Sequence, residues 1–139
     1  MAYATQDAVG VIFRENSEGG HPVAAATKIY AQTITGGTGA NNDARPYQVG
    51  DAILGISQEQ IDNTAGVAGA KTVRVRRGCA RLAQNGTITR AHINKFAKAL
   101  DDSTVAIEVA PDTATVNTIG TIVDVESAAT VWIEVRRFK

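Results

Sequence analysis

Hydrophobic positions in this chain recur mostly in steps of two, the period of a pleated strand with one buried face. Ala8 to Arg14 is the first such stretch, with Val9, Val11 and Phe13 on one side. Glu15 to Pro22 is turn chemistry throughout, and Lys28 to Ile34 predicts a second strand. Thr35-Gly-Gly-Thr-Gly-Ala-Asn-Asn-Asp43 has little to bury, so an exposed loop or mobile arm is expected there. The first third of the chain is therefore expected to be looser than the rest.

From Tyr47 the punctuation becomes regular. Val49 to Ile56 predicts a turn leading into a short buried strand. Ser57-Gln-Glu-Gln60 has capping-box spacing, enough to start one helical turn, and Asn63 to Gly69 is a loop. Lys71 to Ala83 is the longest strand expected, closed by the Asn85-Gly86 turn signal. Within it Val73 and Val75 face one way, and Arg74 and Arg76 the other. Unbroken alternation would carry Arg77, Cys79 and Arg81 onto the apolar face. A one-residue bulge at Arg77-Gly78 instead returns Ala80 and Leu82 inward and keeps Arg81 outside.

Thr89 to Leu100 mixes helical and strand spacing, and predicts a helical turn near Arg90 to Asn94 followed by a strand from Lys95. Three cleaner alternations follow: Val105, Ile107 and Val109; Ile119, Thr121, Val123 and Val125; Val131, Ile133 and Val135. The last two predict a hairpin across Glu126 to Ala129, with a loop longer than two residues. No internal repeat is visible at solenoid periods. Short strands with turns about every ten residues predict a mainly β fold, a small barrel or sandwich with short helical segments. The expected organisation is one domain over 1–139, with 1–46 as a looser arm and loop region and 47–139 as the compact β core. A parallel α/β fold would need helices between the strands.

Composition narrows the function classes. The chain has 139 residues, 44% hydrophobic and 5% aromatic, which suits one domain with one β-branched core. A formal net charge of zero argues against a general nucleic-acid binder. The one cysteine, Cys79, cannot form an internal disulfide. No run approaches the ~18 continuous apolar residues of a membrane span, so no membrane partner is expected. Met1 to Asp7 lacks a basic segment followed by an apolar run, so no secretory signal is expected and synthesis is placed in a cytoplasm.

Catalytic and metal patterns fail on inspection. Gly66-Val-Ala-Gly-Ala-Lys-Thr72 looks like a phosphate-binding loop, but Ala70 and Ala65 stand where that loop needs glycine. Cys79, His21 and His92 are too widely spaced for a zinc site. Cys79 is read as a small semi-buried filler, His92 as a solvated residue and His21 as a turn residue. Asp101-Asp102 is read as a solvated turn. No serine sits in a nucleophile elbow. The expectation is a protein that is not an enzyme, with no cofactor, no metal and no catalytic residue.

One non-random feature remains. Lys71, Arg74, Arg76, Arg77, Arg81, Arg90, Lys95 and Lys98 come without an intervening acid, and Asp101, Asp102, Glu108, Asp112, Asp124 and Glu126 then come without a base. Solvated faces can cluster in this way. The sharper reading is a basic face, with Arg74, Arg76, Arg77 and Arg81 as contact residues for another copy or a different protein. Nucleic acid is the weaker partner, because no aromatics interleave with the arginines.

Val49 to Val135 resembles a family of tailed-bacteriophage capsid cement or decoration proteins. The resemblance rests on Gly50-Asp51, Ile53-Leu-Gly-Ile56, Ala65-Gly-Val-Ala-Gly69, Val73-Arg-Val75 with Gly78, Ile119-Gly-Thr-Ile-Val-Asp124 and Val131-Trp-Ile-Glu-Val135. It covers about two-thirds of the chain, and order and spacing carry the match. Glu15 to Asp43 departs from the family's compact pattern. The resemblance implies a structural protein on the outer surface of the virion head, partnered by the major capsid protein and by its own copies, a trimer being favoured. The competing class is a small β-barrel binding module for oligosaccharide or nucleic acid, which would expose several aromatics on one concave face.

Overall fold

The computed structural model describes residues 18–38 and 41–136. Among the described residues it is mainly β, with twelve strands and one short helical turn. The strand expected over Ala8 to Arg14 lies outside the described residues.

Seven strands come before Arg77: β1 Glu18–Pro22, β2 Thr27–Ile29, β3 Ile34–Thr38, β4 Asp43–Pro46, β5 Ala52–Ser57, β6 Ile61–Asn63 and β7 Thr72–Arg76. Five of them form an antiparallel sheet in the order β1-β7-β5-β3-β4, and β2 pairs with β6 as a separate ribbon. The sheet curls until its two edges meet. Just after β1, Val23 makes a parallel bridge to Ala44 in β4, and the Ala24 amide donates to the Ala44 carbonyl at 2.9 Å. Val23, Ile29, Ala44, Leu54, Val73 and Val75 fill the space inside, and Ile61 leans on them.

Five strands follow: β8 Gly78–Gln84, β9 Phe96–Ala99, β10 Thr104–Ile107, β11 Thr118–Val125 and β12 Thr130–Val135. They close into a barrel in the order β10-β8-β12-β11-β9, sealed by the β9–β10 pairing. Its one parallel contact joins β10 to β8. The interior holds Leu82, Ile88, Val105, Ile119, Ile122, Val131, Ile133 and Val135. Ile34, Tyr47, Ile53 and Ile56 from the first unit belong to the same cluster, so the two units share one core. The fold is a small single-domain β structure.

Bulges decide which residues reach that core. In the β3–β5 pairing Gly36 faces Ile53 and Thr35 faces Gly55, leaving Leu54 as an extra residue. Ile53 and Ile56 thus join the shared core, while Leu54 enters the first unit's interior. Gly55 has φ +150°, and a Cβ there would lie 2.9 Å from the Arg76 carbonyl oxygen. In β11 two register shifts leave Ile119 and Val123 as extra residues, so that Ile119 and Ile122 both point inward. Between them Gly120 passes so close to β12 that a Cβ would sit 2.0 Å from the Glu134 carbonyl oxygen.

Several expectations need correction. Part of the stretch read as a turn, Glu18–Pro22, is strand β1, and His21 lies within it. The strand expected over Lys28 to Ile34 is two strands separated by a turn over residues 30–33. Of the exposed loop expected over Thr35 to Asp43, the part up to Thr38 and Asp43 itself instead lie in the paired strands β3 and β4, with Thr35, Gly36 and Gly37 buried, while 39 and 40 lie outside the described residues. The described residues 18–38 and 41–46 are thus built into the fold, with Val23, Ile29, Ile34 and Ala44 fully enclosed, and do not form an arm. Gly-rich strands bury their backbone where a neighbouring strand covers them, a gain that side-chain patterns do not register. No helical turn forms at Ser57, which ends β5 and donates its hydroxyl to the Tyr30 carbonyl at 2.6 Å. Val109 and Val123 are exposed rather than inward. Cys79 is exposed too, and not a semi-buried filler.

The Arg77-Gly78 expectation is met in effect by a different device. Val73, Val75 and Leu82 are buried and Ala80 half-buried, while Arg74, Arg76 and Arg81 are exposed. The phase change is a crossing between sheets, because β7 belongs to the first unit and β8 to the barrel. The helical turn Arg90–His92, the strand after Lys95 and the four-residue connection between Val125 and Thr130 fall where the sequence puts them.

Candidate docking surface

The four arginines singled out by the sequence have different surroundings. Arg74 and Arg76 alternate onto the outer face of β7. Arg74 lies 3.6 Å from Glu18 and 3.7 Å from Glu59, and its amide donates to the Glu59 carboxylate at 3.3 Å. Arg76 has no ion pair among the described residues. Arg77 is the crossing residue, half-buried, and its Nε donates to the Leu54 carbonyl at 2.9 Å. Arg81 lies on β8 beside Trp132 and pairs through Nε with Glu126.

Charge segregated along the chain is therefore intermixed in space. Arg81 with Glu126, Arg90 with Asp124 at 3.1 Å and Lys95 with Asp112 at 2.7 Å each join the basic run to the acidic one. Lys71 donates to the Asp62 carbonyl at 2.6 Å. β8 pairs with β12 and β9 with β11, which brings the basic strands of the middle of the chain against the acid-bearing ends of its last hairpin.

What persists as a basic concavity is smaller than the face expected. Arg76 and Arg77 line a cleft of about 260 Å³ where the two units meet, together with Gln32, Gln58 and Cys79. Arg74 and Arg81 lie outside it. Gln58 donates through Nε2 to the Ile56 carbonyl at 2.9 Å, which fixes its carboxamide. Gln32 has a left-handed backbone, φ +60°, and its amide donates to the Ser57 carbonyl at 2.8 Å. Sequence reasoning missed both glutamines. Only the position of Gln58, just beyond an apolar strand, hinted at a role.

A second polar cluster ties the units together. Asp51, 6% exposed, accepts from Arg45 Nε at 2.9 Å and Nη2 at 2.7 Å, and from the Gln48 amide at 3.2 Å. That hydrogen bond raises the Arg45 pKa. Tyr47 donates its hydroxyl to Asn117 Oδ1 at 2.7 Å, and the Gly50 amide donates to the same oxygen at 2.9 Å. Burial, reinforced by the Asp51 charge, pushes Tyr47 up to about 12. Glu108, also buried, accepts from the hydroxyls of Thr115 at 3.2 Å and Thr118 at 3.1 Å.

The remaining sequence candidates have local roles. Asp101 accepts from the amides of Ser103 and Thr104, each at 2.8 Å, and these bonds hold its carboxyl below the usual range. Thr64, through hydroxyl and amide, lowers Asp62 in the same way. His92 accepts from the Thr89 amide through Nδ1 at 3.1 Å. The loop after β6 encloses Asn63, whose Nδ2 donates to the carbonyls of Ala24 and Val67, each at 3.0 Å. Tyr30 is exposed on the first unit, with the Lys28 ammonium 5.0 Å from its ring centre, while Trp132 is half-buried on the barrel. Among the described residues no group of three His, Cys, Asp or Glu is placed to hold a metal ion, and no helix is long and apolar enough to cross a membrane. Comparison with protein-family models, with curated proteins and with solved structures found no match.

Proposed function

We propose that this protein is a structural component of a tailed-bacteriophage virion that binds the outer surface of the assembled head and stabilises it without catalysing a reaction. Its partners on this reading are the major capsid protein and further copies of itself, a trimer being favoured by the resemblance. The observation that carries the reading is where the resembling residues fall. Asp51 anchors the turn before β5, Gly55 allows the close approach to Arg76, Gly120 allows the close approach to Glu134, and Val131, Ile133 and Val135 are the buried face of β12. The resembling residues thus stand at positions this architecture uses, and that placement is what supports the reading. Tyr30 and Trp132 lie on different β units, an arrangement that favours this reading over a glycan- or base-stacking barrel.

The test is to mix purified protein with heads that lack it, and to measure occupancy and heat resistance. Saturable binding with a raised disruption temperature is expected. Failure to bind any head, or an exclusively internal position in the virion, would overturn the reading.

A further inference from the structure

The geometry points to the cleft between the two β units as a carboxylate-binding site, taking an acidic side chain from a partner protein between Arg76, Arg77, Gln32 and Gln58. The inference rests on the head-binding reading only for who that partner is.

Four observations lead there. Arg76 and Arg77 come from consecutive positions, yet the crossing from β7 to β8 turns both into one concavity. A guanidinium offers a planar fork of donors that matches a carboxylate, and two of them with two carboxamides supply more donors than one carboxylate can use. Arg76 lacks an ion pair among the described residues, whereas Arg74, on the same face of the same strand, is held by Glu18 and Glu59. Part of the wall is preformed: Arg77 Nε is held on the Leu54 carbonyl and Gln58 Nε2 on the Ile56 carbonyl, and the backbone of Gln32 is anchored on Ser57. Little order then has to be created on binding. Finally, about 260 Å³ is too small for most cofactors but ample for one or two acidic side chains.

Two acids border the cleft by register. Glu18 lies opposite Arg76 but bridges to Arg74, and Glu134 lies opposite Cys79 on the barrel. Neither lines the cleft. They set the specificity, because a ligand whose charge overruns the cleft meets them, whereas a single inserted carboxylate does not.

The experiment titrates the intact protein with a hexaglutamate peptide while following the side-chain N–H signals of its arginines and glutamines by NMR. Saturable shifts confined to Arg76, Arg77, Gln32 and Gln58 are expected, with no response to hexaglutamine. Arg76→Gln should weaken peptide binding about tenfold or more, the loss expected for charge-assisted hydrogen bonds. Arg90→Gln, outside the cleft, should bind as the parent does. Equal affinity in Arg76→Gln, shifts spread over all basic residues, or an equal response to inorganic phosphate or a short oligothymidine would overturn the assignment. Heads lacking the protein separate the two readings. If Arg76→Gln loses the peptide but still decorates heads as the parent does, the cleft is not the head contact and decoration stands. If the parent binds the peptide but no head, decoration fails and the carboxylate site stands.

Discussion

The two β units reach similar shapes from different materials. The barrel after Arg77 is filled mostly by its own strands, with Ile119, Ile122, Val131, Ile133 and Val135 all pointing inward from β11 and β12. The unit before Arg77 has an interior strand, Ile34-Thr-Gly-Gly-Thr38 between β5 and β4, with one large apolar side chain, and that one faces the barrel's core. Its own interior is filled by Val73 and Val75 from β7 and Ala44 from β4, by Val23 and Ile29 from outside the five-stranded sheet, and by Leu54 from a bulge. A strand can therefore be interior and buried while poor in the side chains that usually mark strands, provided neighbouring strands and segments supply the volume.

The largest effects should come from testing whether these units stand alone. Replacing Ile133 in the barrel or Ile29 in the first unit by Ala should each cost about 2–5 kcal/mol, since both are fully enclosed. Because Ile34, Tyr47, Ile53 and Ile56 share the barrel's core, both variants should still unfold in one transition. Urea unfolding followed by Trp132 fluorescence and by far-ultraviolet circular dichroism checks this. Two separated transitions would break the unity of the core. Gly120→Ala should cost about 1–3 kcal/mol or more through the clash with Glu134, with the loss on the barrel side of the same transition.

Next in size is the ion pair that shapes the turn before β5. Asp51→Ala leaves Arg45 without its fork partner and the Gln48 amide without an acceptor, and should cost about 2 kcal/mol. The amides of residues 48–54 should exchange faster, while those of β8 and β12 keep most of their protection. Loss of protection throughout the barrel would mean that this turn supports both units equally.

The sequence's legibility follows the same division. Val131, Ile133 and Val135 alternate without interruption and are read correctly, as is the four-residue hairpin before them. β11 is read in the wrong phase at Thr121 to Val123, where the extra residue at Ile119 turns Ile122 inward, and the one at Val123 brings Val125 back against the core; neither is visible without the partner strands. β3 and β4 are illegible for a stronger reason: Gly36 and Gly37 carry no side chain, and what buries them lies on other strands. Of the candidate site, the arginines stand out by type, and the sorting of Arg76 and Arg77 from Arg74 and Arg81 depends on partners distant in the chain. Glu126 is 45 positions from Arg81.

Tyr47, which links the units through Asn117, gives a pH-dependent test of smaller size. Its hydroxyl donates to Asn117, and burial keeps it protonated, so its pKa is about 12 in the folded chain against about 10 when unfolded. A raised pKa contributes stability that is complete below pH about 10 and is lost as the pH rises towards 12. The ultraviolet difference spectrum should therefore show one tyrosine ionising late. Tyr47→Phe should be less stable at neutral pH and should lose less stability than the parent between those two pH values. Parallel decline of the two proteins would show that the lysines, and not this contact, govern the alkaline limb.

The smallest effects expected are at the surface pairs that join the basic and acidic runs, and they test whether charge segregation along the chain has any energetic meaning in the fold. Arg81 and Glu126 are both about half exposed, and the Arg90–Asp124 partners are more exposed still. Water screens such pairs, and holding two long side chains together costs entropy, so each should couple by only about 0.2–1 kcal/mol. Arg81→Ala, Glu126→Ala and the double variant form a cycle whose interaction energy should fall in that range. The coupling should shrink in 1 M salt, where the screening length is ~3 Å. Exchanging the charges, Arg81→Glu with Glu126→Arg, should restore most of it, because nothing buried depends on which strand carries which sign. A coupling well above 1 kcal/mol that survives salt would mean that the pair is desolvated beside Trp132 and helps to fix the register of β8 against β12.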